Sequence, residues 1–497
     1  MDELTYFDIL AKLVGIAKGF PNEIYEKFET IDYSKIESPL HKILIKNNIT
    51  VPKNCISSYK LWKFSKDSTD IRRIDKYIDT ILNKEKKPKT EIDYFTILFL
   101  ILGLNYFLMQ YLYIQKTHDS MKKEGLLNNN SKECGIALYK NINALWEHQN
   151  GGKEAGLTCF NLASNFYIRD LSIQEKYQYN YEDMWYSSEF ELLVDQLREN
   201  KVLKIGMTGV SDLRPFRIIL GKGEYENNFE VQLLPTYEEY IIPKIIKIIQ
   251  KAYEESVDIL IFPEMLGSIK INDKIKNTLN ELSFSGQRTP LLVIAPSVWE
   301  NNKNELSVFS NVGQKLLTQQ KIASYIHLED GVKYKEALNK TSEINVLHIE
   351  GLGRLTFPIC KSFISPIFKS ITEVVKPLLI LCPSYSTSHH SFETKANAFA
   401  STDCNVVWCN CCRALKHPND SSKNVDNKVS DKAKKDDAIL GFTTQFGNIY
   451  EPVMDTFKLE ENCKKYNKNG CEEICLRIHK ISFKNIIKES QLALISG

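Results

Sequence analysis

The sequence carries almost no excess charge: 64 Lys and Arg against 62 Asp and Glu leave a net of +2 over 497 residues. Only 10 of those cations are arginine, the side chain best suited to bidentate phosphate and base contacts. A chain that neutralises a phosphate backbone carries a larger surplus, so nucleic acid is not an expected partner. Cysteine is also sparse, 12 residues in all, too few for a disulfide-held scaffold, and several sit inside apolar runs as small core residues. The opening MDELTYFDIL lacks the basic segment and apolar run of a secretory signal. The expectation is a reducing, cytoplasmic setting in which a thiolate is available for chemistry.

What is present is a globular composition, 43% apolar and 25% charged, in a chain long enough for two to four domains at roughly 100–200 residues each. Tyr94 to Ile114 is an uncharged run of 21 residues, long enough to cross a bilayer. It also carries Thr96, Gly103, Asn105 and Gln110, and amides are costly in hydrocarbon. A buried central helix is therefore the expectation and a membrane span the alternative. Otherwise residues 1–195 read as helices broken by Lys- and Asn-rich stretches, an accessory helical domain without a catalytic motif.

From Lys201 the texture changes. VLKIGMTGV (202–210), VDILIFPE (257–264), PLLVIAPS (290–297), GRLTFPIC (353–360), PLLILCPS (377–384) and CNVVWCN (404–410) read as buried strands. YIIPKIIKIIQKAYEES (240–256) places its isoleucines at helical spacing. Strand and helix in alternation predict an α/β domain, with a boundary near 196–201. The stretch 417–437 has no large hydrophobic residue beyond two valines and reads as a disordered insertion.

Reactive groups fall at the ends of these elements: Glu264 after VDILIFP, Cys360 after GRLTFPI, and Lys321 closing GQKLLTQQK. Strand ends are where open α/β sheets form their ligand crevice. A partly desolvated Glu is a plausible base, and a thiol beside an ammonium is a plausible nucleophile. Taken singly, each is an ordinary residue: a capping carboxylate, a packing thiol, a surface amine. Their order and local wording are what is specific.

In that order and wording the chain resembles the nitrilase, or carbon–nitrogen hydrolase, superfamily over about residues 201–487. DILIFPEM (258–265) resembles the family's strand ending in Phe-Pro-Glu. NELSVFSNVG (304–313) supplies the Asn and Gly that precede its Lys, and Lys321 falls eight residues after Gly313. GRLTFPIC (353–360) resembles the block that ends in the nucleophile. PLLILCPS, ETKANAFASTDCNVVWCN ending at Asn410, ILGFTTQFGNIYEPV (439–453) and ICLRIHKIS (474–482) follow in family order. The resemblance implies a four-layer α-β-β-α sandwich, here preceded by the helical domain, that cleaves a non-peptide C–N bond of a small-molecule amide or nitrile. It also implies no metal, no organic cofactor and a homo-oligomer. By resemblance Cys360 is the nucleophile, Glu264 the general base and Lys321 the oxyanion cation, joined by the Lys361 backbone N–H. Glu329 has the spacing of the family's second glutamate, with Glu336 its competitor. Acyl transfer from the same thioester and a non-catalytic sensing module are the alternatives, and nitrilase-like domains also occur in bacterial defence proteins.

The chain departs from the family pattern in two places. Cys360 is followed by Lys361 and Ser362 without the usual carboxylate, and Phe357 and Pro358 stand before the nucleophile instead of a small residue. Two other clusters are weaker. Cys409, Cys411 and Cys412 (C-x-C-C) and Cys463, Cys471 and Cys475 (C-x7-C-x3-C) do not supply the two C-x2-C pairs of a zinc site. His389 and His390 beside Ser388 read as a pocket wall or exposed loop.

Overall fold

Thr5 and Asp8 cap each other at the start of the helix Tyr6–Ala17, the reciprocal arrangement that satisfies two otherwise orphaned amide donors. Thr90 and Asp93 do the same for Glu91–Gln115. A computed structural model describes residues 5–30, 42–46, 68–82, 87–115, 132, 135–140, 162–163, 166–172, 176, 179–186, 190–200, 202–210, 214–221, 227–286, 289–341, 343–375, 377–400, 404–416, 439–445, 453–458 and 475–482. The expected insertion at 417–437 lies outside them.

The chain divides into two compact units, Met1–Ile142 with Gln149–Tyr177, and Asn143–His148 with Gln178–Gly497. In the first, Ile9, Leu10, Leu13 and Val14 share a core with Phe95, Leu98, Phe99 and Ile101. The helix Glu91–Gln115 is long and apolar enough to cross a membrane, and 67% of its window Glu91–Leu108 is buried inside the unit. That is the pattern of a central core helix. The unit is not wholly helical: Ile136–Lys140 pairs antiparallel with Phe166–Asp170. These five-residue strands are too short to leave a periodic signature among polar neighbours.

The boundary falls at Tyr177/Gln178 and not near 196–201. The strand Asn180–Tyr186 runs parallel to Glu343–Ile349 along all its residues. The helix Glu191–Asn200 sends Phe190, Val194 and Leu197 at its head and along its length into the same core as the sheets. Both segments belong to the second unit by hydrogen bonding and by burial.

That second unit holds two large sheets. One runs Lys315–Gln320, Lys303–Ser310, Leu292–Ile294, Ile259–Ile261, Val202–Met207, Arg477–Ser482, with Val298–Glu300 beside Lys303–Ser310. The other runs Val453–Lys458, Ile439–Gln445, Asn405–Asn410, Leu379–Ser384, Gly353–Thr356, Glu343–Ile349, Asn180–Tyr186. Successive strand residues point to opposite faces, and the cores divide accordingly. Ile205, Ile259 and Ile261 share a core with Leu347, Leu355 and Val407 of the other sheet. Leu260, Phe262 and Val293 pack instead with the isoleucines of helices Pro235–Glu254 and Ile269–Phe284. On the far side, Phe363, Phe368 and Phe399 join helices Pro366–Val375 and His390–Ala400 to the second sheet. The layers are helix, sheet, sheet, helix, as expected. A four-stranded sheet of Ile326–Glu329, Val332–Glu336, Asn228–Leu233 and Phe216–Gly221 is added to this plan.

Candidate active site

Glu264 stands three residues beyond the strand Ile259–Ile261. The turn that holds it is fixed on both sides: Met265 takes φ 64° and donates its N–H to Ser297 Oγ at 2.8 Å. Next to it, Gly267 runs so close to Pro296 that a Cβ would lie 2.3 Å from the Pro296 carbonyl oxygen. Lys321 follows the strand Lys315–Gln320 directly, and its N–H donates to the Asn304 carbonyl at 2.8 Å. Cys360 ends the segment after Gly353–Thr356 and caps the short helix Lys361–Ile364. Its φ of 45° is in the left-handed region, a strained position for a non-glycine residue. The N–H of Cys360 donates to Pro383 at 2.9 Å, which pins the turn to the neighbouring strand Leu379–Ser384. Ser362 Oγ accepts the Ile322 and Ala323 N–H groups at 2.9 and 3.3 Å, joining the nucleophile turn to the Lys321 segment.

These elements converge on one buried cluster. Glu264, Lys321, Glu336 and Cys360 are 1%, 2%, 1% and 7% exposed. Lys321 Nζ lies 2.8 Å from Glu264 Oε1 and 2.7 Å from Glu336 Oε2. Glu264 Oε1 also accepts from Asn304 Nδ2 at 2.9 Å, and Glu264 Oε2 accepts the Tyr385 N–H at 2.9 Å. Asn304 Nδ2 reaches Glu336 Oε1 at 3.4 Å as well. Cys360 lies close enough to Glu264 and Lys321 for both charges to act on its thiol.

The second carboxylate on Lys321 is thus Glu336, and Glu329 is not beside it. Glu329 Oε2 lies 3.1 Å from His327 Nε2 on the four-stranded sheet. Glu336 takes the central seat because its own N–H and side chain bracket Tyr325: its N–H donates to the Tyr325 carbonyl and its Oε2 accepts the Tyr325 N–H. Asn304, seen in sequence only as part of a block, bridges both carboxylates. Lys361 is the first residue of its helix with an exposed side chain. Asn410 holds the loop past the Pro-Ser strand by accepting the Ser386 N–H and donating to the Ser386 carbonyl, both at 2.8 Å. Cys409 and Cys411 are buried against the carbonyls of Thr208 and Val210, while Cys463 and Cys471 lie outside the described residues.

The electrostatics assign protons. Burial lowers the pKa of the Lys321 ammonium, but the charges of Glu264 and Glu336 outweigh it and the net shift is upward. Burial raises the pKa of Glu264. The Lys321 charge pulls against this and the Glu336 charge adds to it, leaving the carboxyl above its ordinary range. Burial, then the Glu264 charge, push Cys360 well above an ordinary thiol. Two carboxylates and one ammonium already sum to minus one, so a resting thiolate would add a second uncompensated charge. Cys360 therefore rests as a thiol and needs a base, and the carboxylate whose charge acts on it, Glu264, is tuned upward toward that task.

The chain is similar in fold to solved nitrilase-superfamily structures. Saccharomyces cerevisiae Nit3, from branch 10 of that superfamily, matches at 11% identity and a TM-score of 0.35, over 59% of this chain and 94% of the other. The C. elegans NitFhit protein matches at 13% and 0.36, over 60% and 65%. An amidase from Nesterenkonia, also of the nitrilase superfamily, matches at 12% and 0.30, over 42% and 76%. No family model matches the chain, and no curated protein matches it.

Proposed function

We propose that this chain hydrolyses a non-peptide carbon–nitrogen bond, an amide in preference to a nitrile, through a thioester on Cys360. The observation that carries the reading is the buried meeting of one thiol, two carboxylates and one ammonium at the ends of separate strands. Cys360 Sγ attacks the amide carbon while Glu264 takes the thiol proton. The carbonyl π electrons move to oxygen. Lys321 has three N–H donors and directs two at Glu264 and Glu336, so the third serves that oxygen together with the Lys361 N–H. Collapse of the adduct breaks the C–N bond, and the amine leaves with the proton from Glu264. Water, deprotonated by Glu264, then attacks the thioester carbon. The C–S bond breaks, and Glu264 returns its proton to the sulfur. An amide suits the site because its reaction gathers charge on an oxygen next to the buried cation.

The test is ammonia release from a panel of primary amides and from cell metabolite extract, with wild-type, Cys360→Ala and Glu264→Gln protein. Wild-type protein releases ammonia, both variants lose this activity, and intact-mass measurement finds an acyl adduct on Cys360. Turnover that survives Cys360→Ala would sink the proposal.

A further inference from the structure

Downstream of the strand Leu379–Ser384, the chain brings two imidazoles and a carboxylate together where the proposed chemistry does not use them. His389 is the residue before the helix His390–Ala400, and its carbonyl accepts the N–H groups of Phe392 and Glu393 at 2.9 and 3.0 Å. Neighbouring side chains within a helix diverge by about 100°. His389, one step outside the helix, instead lies with its ring centre 4.2 Å from that of His390. Glu393 is one turn further on, where i+3 and i+4 partners share a face, and its Oε2 lies 3.6 Å from His389 Nε2. One donor atom from each of the three residues falls within 4.8 Å of the others.

We propose that His389, His390 and Glu393 form a binding site for a divalent transition-metal ion of the Zn2+ kind. Four-coordinate ligands at about 2.0–2.2 Å from zinc stand roughly 3.3–3.6 Å apart, so small rotations of these side chains close the set. Two imidazole nitrogens and one carboxylate oxygen suit borderline ions, whereas Mg2+ and Ca2+ prefer oxygen throughout. His390 is exposed and Glu393 is partly exposed, which leaves water the remaining coordination position. The scaffold is firm: Phe392, Ala396 and Phe399 on the same helix are buried. The site is also tied to the catalytic cluster by a short, braced loop. Tyr385 donates its N–H to Glu264, Asn410 clamps Ser386, and Ser386 Oγ donates to the Ser388 carbonyl.

The experiment is a titration of chelator-stripped full-length protein with Co2+ and then Zn2+, in a thiol-free reductant, followed by visible absorption and calorimetry. One equivalent of Co2+ binds with a ligand-field spectrum free of thiolate charge transfer, and Zn2+ displaces it. His390→Ala and Glu393→Gln each weaken binding by more than about tenfold, the double variant abolishes it, and melting temperatures stay at the wild-type value. Absence of a bound equivalent, retention of binding in the double variant, or a thiolate charge-transfer band that places the ion on cysteines would each overturn the proposal. None of these readouts depends on whether Cys360 turns over an amide.

Discussion

Replacing Lys321 with Met removes the one ammonium between two carboxylates and keeps the volume of the side chain close to constant. At 2.8 and 2.7 Å, and with an effective dielectric constant of about 20, each attraction has a gross value of about 6 kcal/mol. The variant does not lose the sum. Two buried carboxylates without a cation relieve themselves by taking up a proton, and the net loss falls to the roughly 3–5 kcal/mol of a broken buried pair. The pH dependence separates this account from a simple packing defect. The Lys321 pKa is raised in the folded protein, so the stability that Lys321 contributes is fully present below its unfolded value near 10.4 and is constant between about pH 5 and 9.

In the variant, Glu264 loses the charge that opposed its upward shift, so its folded pKa moves further above the unfolded value of about 4.3. A carboxyl raised in this way contributes stability at low pH that disappears as pH rises through the folded value. The gap between wild type and Lys321→Met is therefore small near pH 4.5 and grows toward neutrality. Urea unfolding at several pH values measures it, with a parallel fall in melting temperature on the order of 10 °C at neutral pH. A neutral-pH gap under about 1 kcal/mol, or one equal at pH 4.5 and 7.5, would refute the buried triad of charges.

Glu336→Gln lowers kcat/KM by about 10- to 100-fold, whereas Glu329→Gln leaves it within about twofold, because Glu336 touches Lys321 and Glu329 faces His327. In wild type the acid limb of kcat/KM reports Glu264 and lies above the ordinary carboxylate range, with activity rising as pH rises through it. Glu336→Gln moves that limb to lower pH by removing one of the charges that raises Glu264, which a pH–rate series will show. Ser362→Ala strands the Ile322 and Ala323 amides, costs about 1–3 kcal/mol in denaturant unfolding, and lowers kcat by loosening Lys321 from the Cys360 turn. Gly313→Ala destabilises by about 1–3 kcal/mol or more, since φ is 75° and the new Cβ would lie 2.4 Å from the Lys276 carbonyl oxygen. Melting curves will test it.

The parts of the fold that were legible are those where burial writes itself into composition. Leu379–Ser384 and Asn405–Asn410 are buried at every position, so they stand out as unbroken apolar runs, and each ends on a polar residue at the crevice. Glu264 and Cys360 were legible for the same reason, as reactive groups that terminate such runs. Asn180–Tyr186 was not. It is an edge strand, NYEDMWY, in a sheet otherwise made from distant sequence, and among its described side chains none is buried: Asn180 and Glu182 are exposed, and Asp183, Met184, Trp185 and Tyr186 are partly buried. Its membership of the second unit rests on backbone pairing with Glu343–Ile349, and backbone pairing leaves no mark in residue type.

The second glutamate shows how far a spacing argument reaches before register takes over. Ile326–Glu329 and Val332–Glu336 form a hairpin whose turn residues, Asp330 and Gly331, both take positive φ, as a two-residue turn of Asp-Gly type requires. Alternation along the hairpin sends His327 and Glu329 inward on one strand and Tyr334 and Glu336 inward on the other, so both glutamates satisfy the pattern. They differ in their distance from the turn. Glu329 pairs with Val332 at the tip, whereas Ile326 pairs with Lys335 and brings Glu336 back beside Tyr325, four residues past Lys321. The same arithmetic places Asn304: pairing of Glu305 with Gln320 sets Asn304 opposite Lys321, and the backbone bond between them follows. Two antiparallel registers thus deliver Glu336 to the ammonium and Asn304 to the two carboxylates that flank it. Counting residues forward from the lysine finds the hairpin tip, and only folding the count back at Asp330 and Gly331 finds the carboxylate that binds.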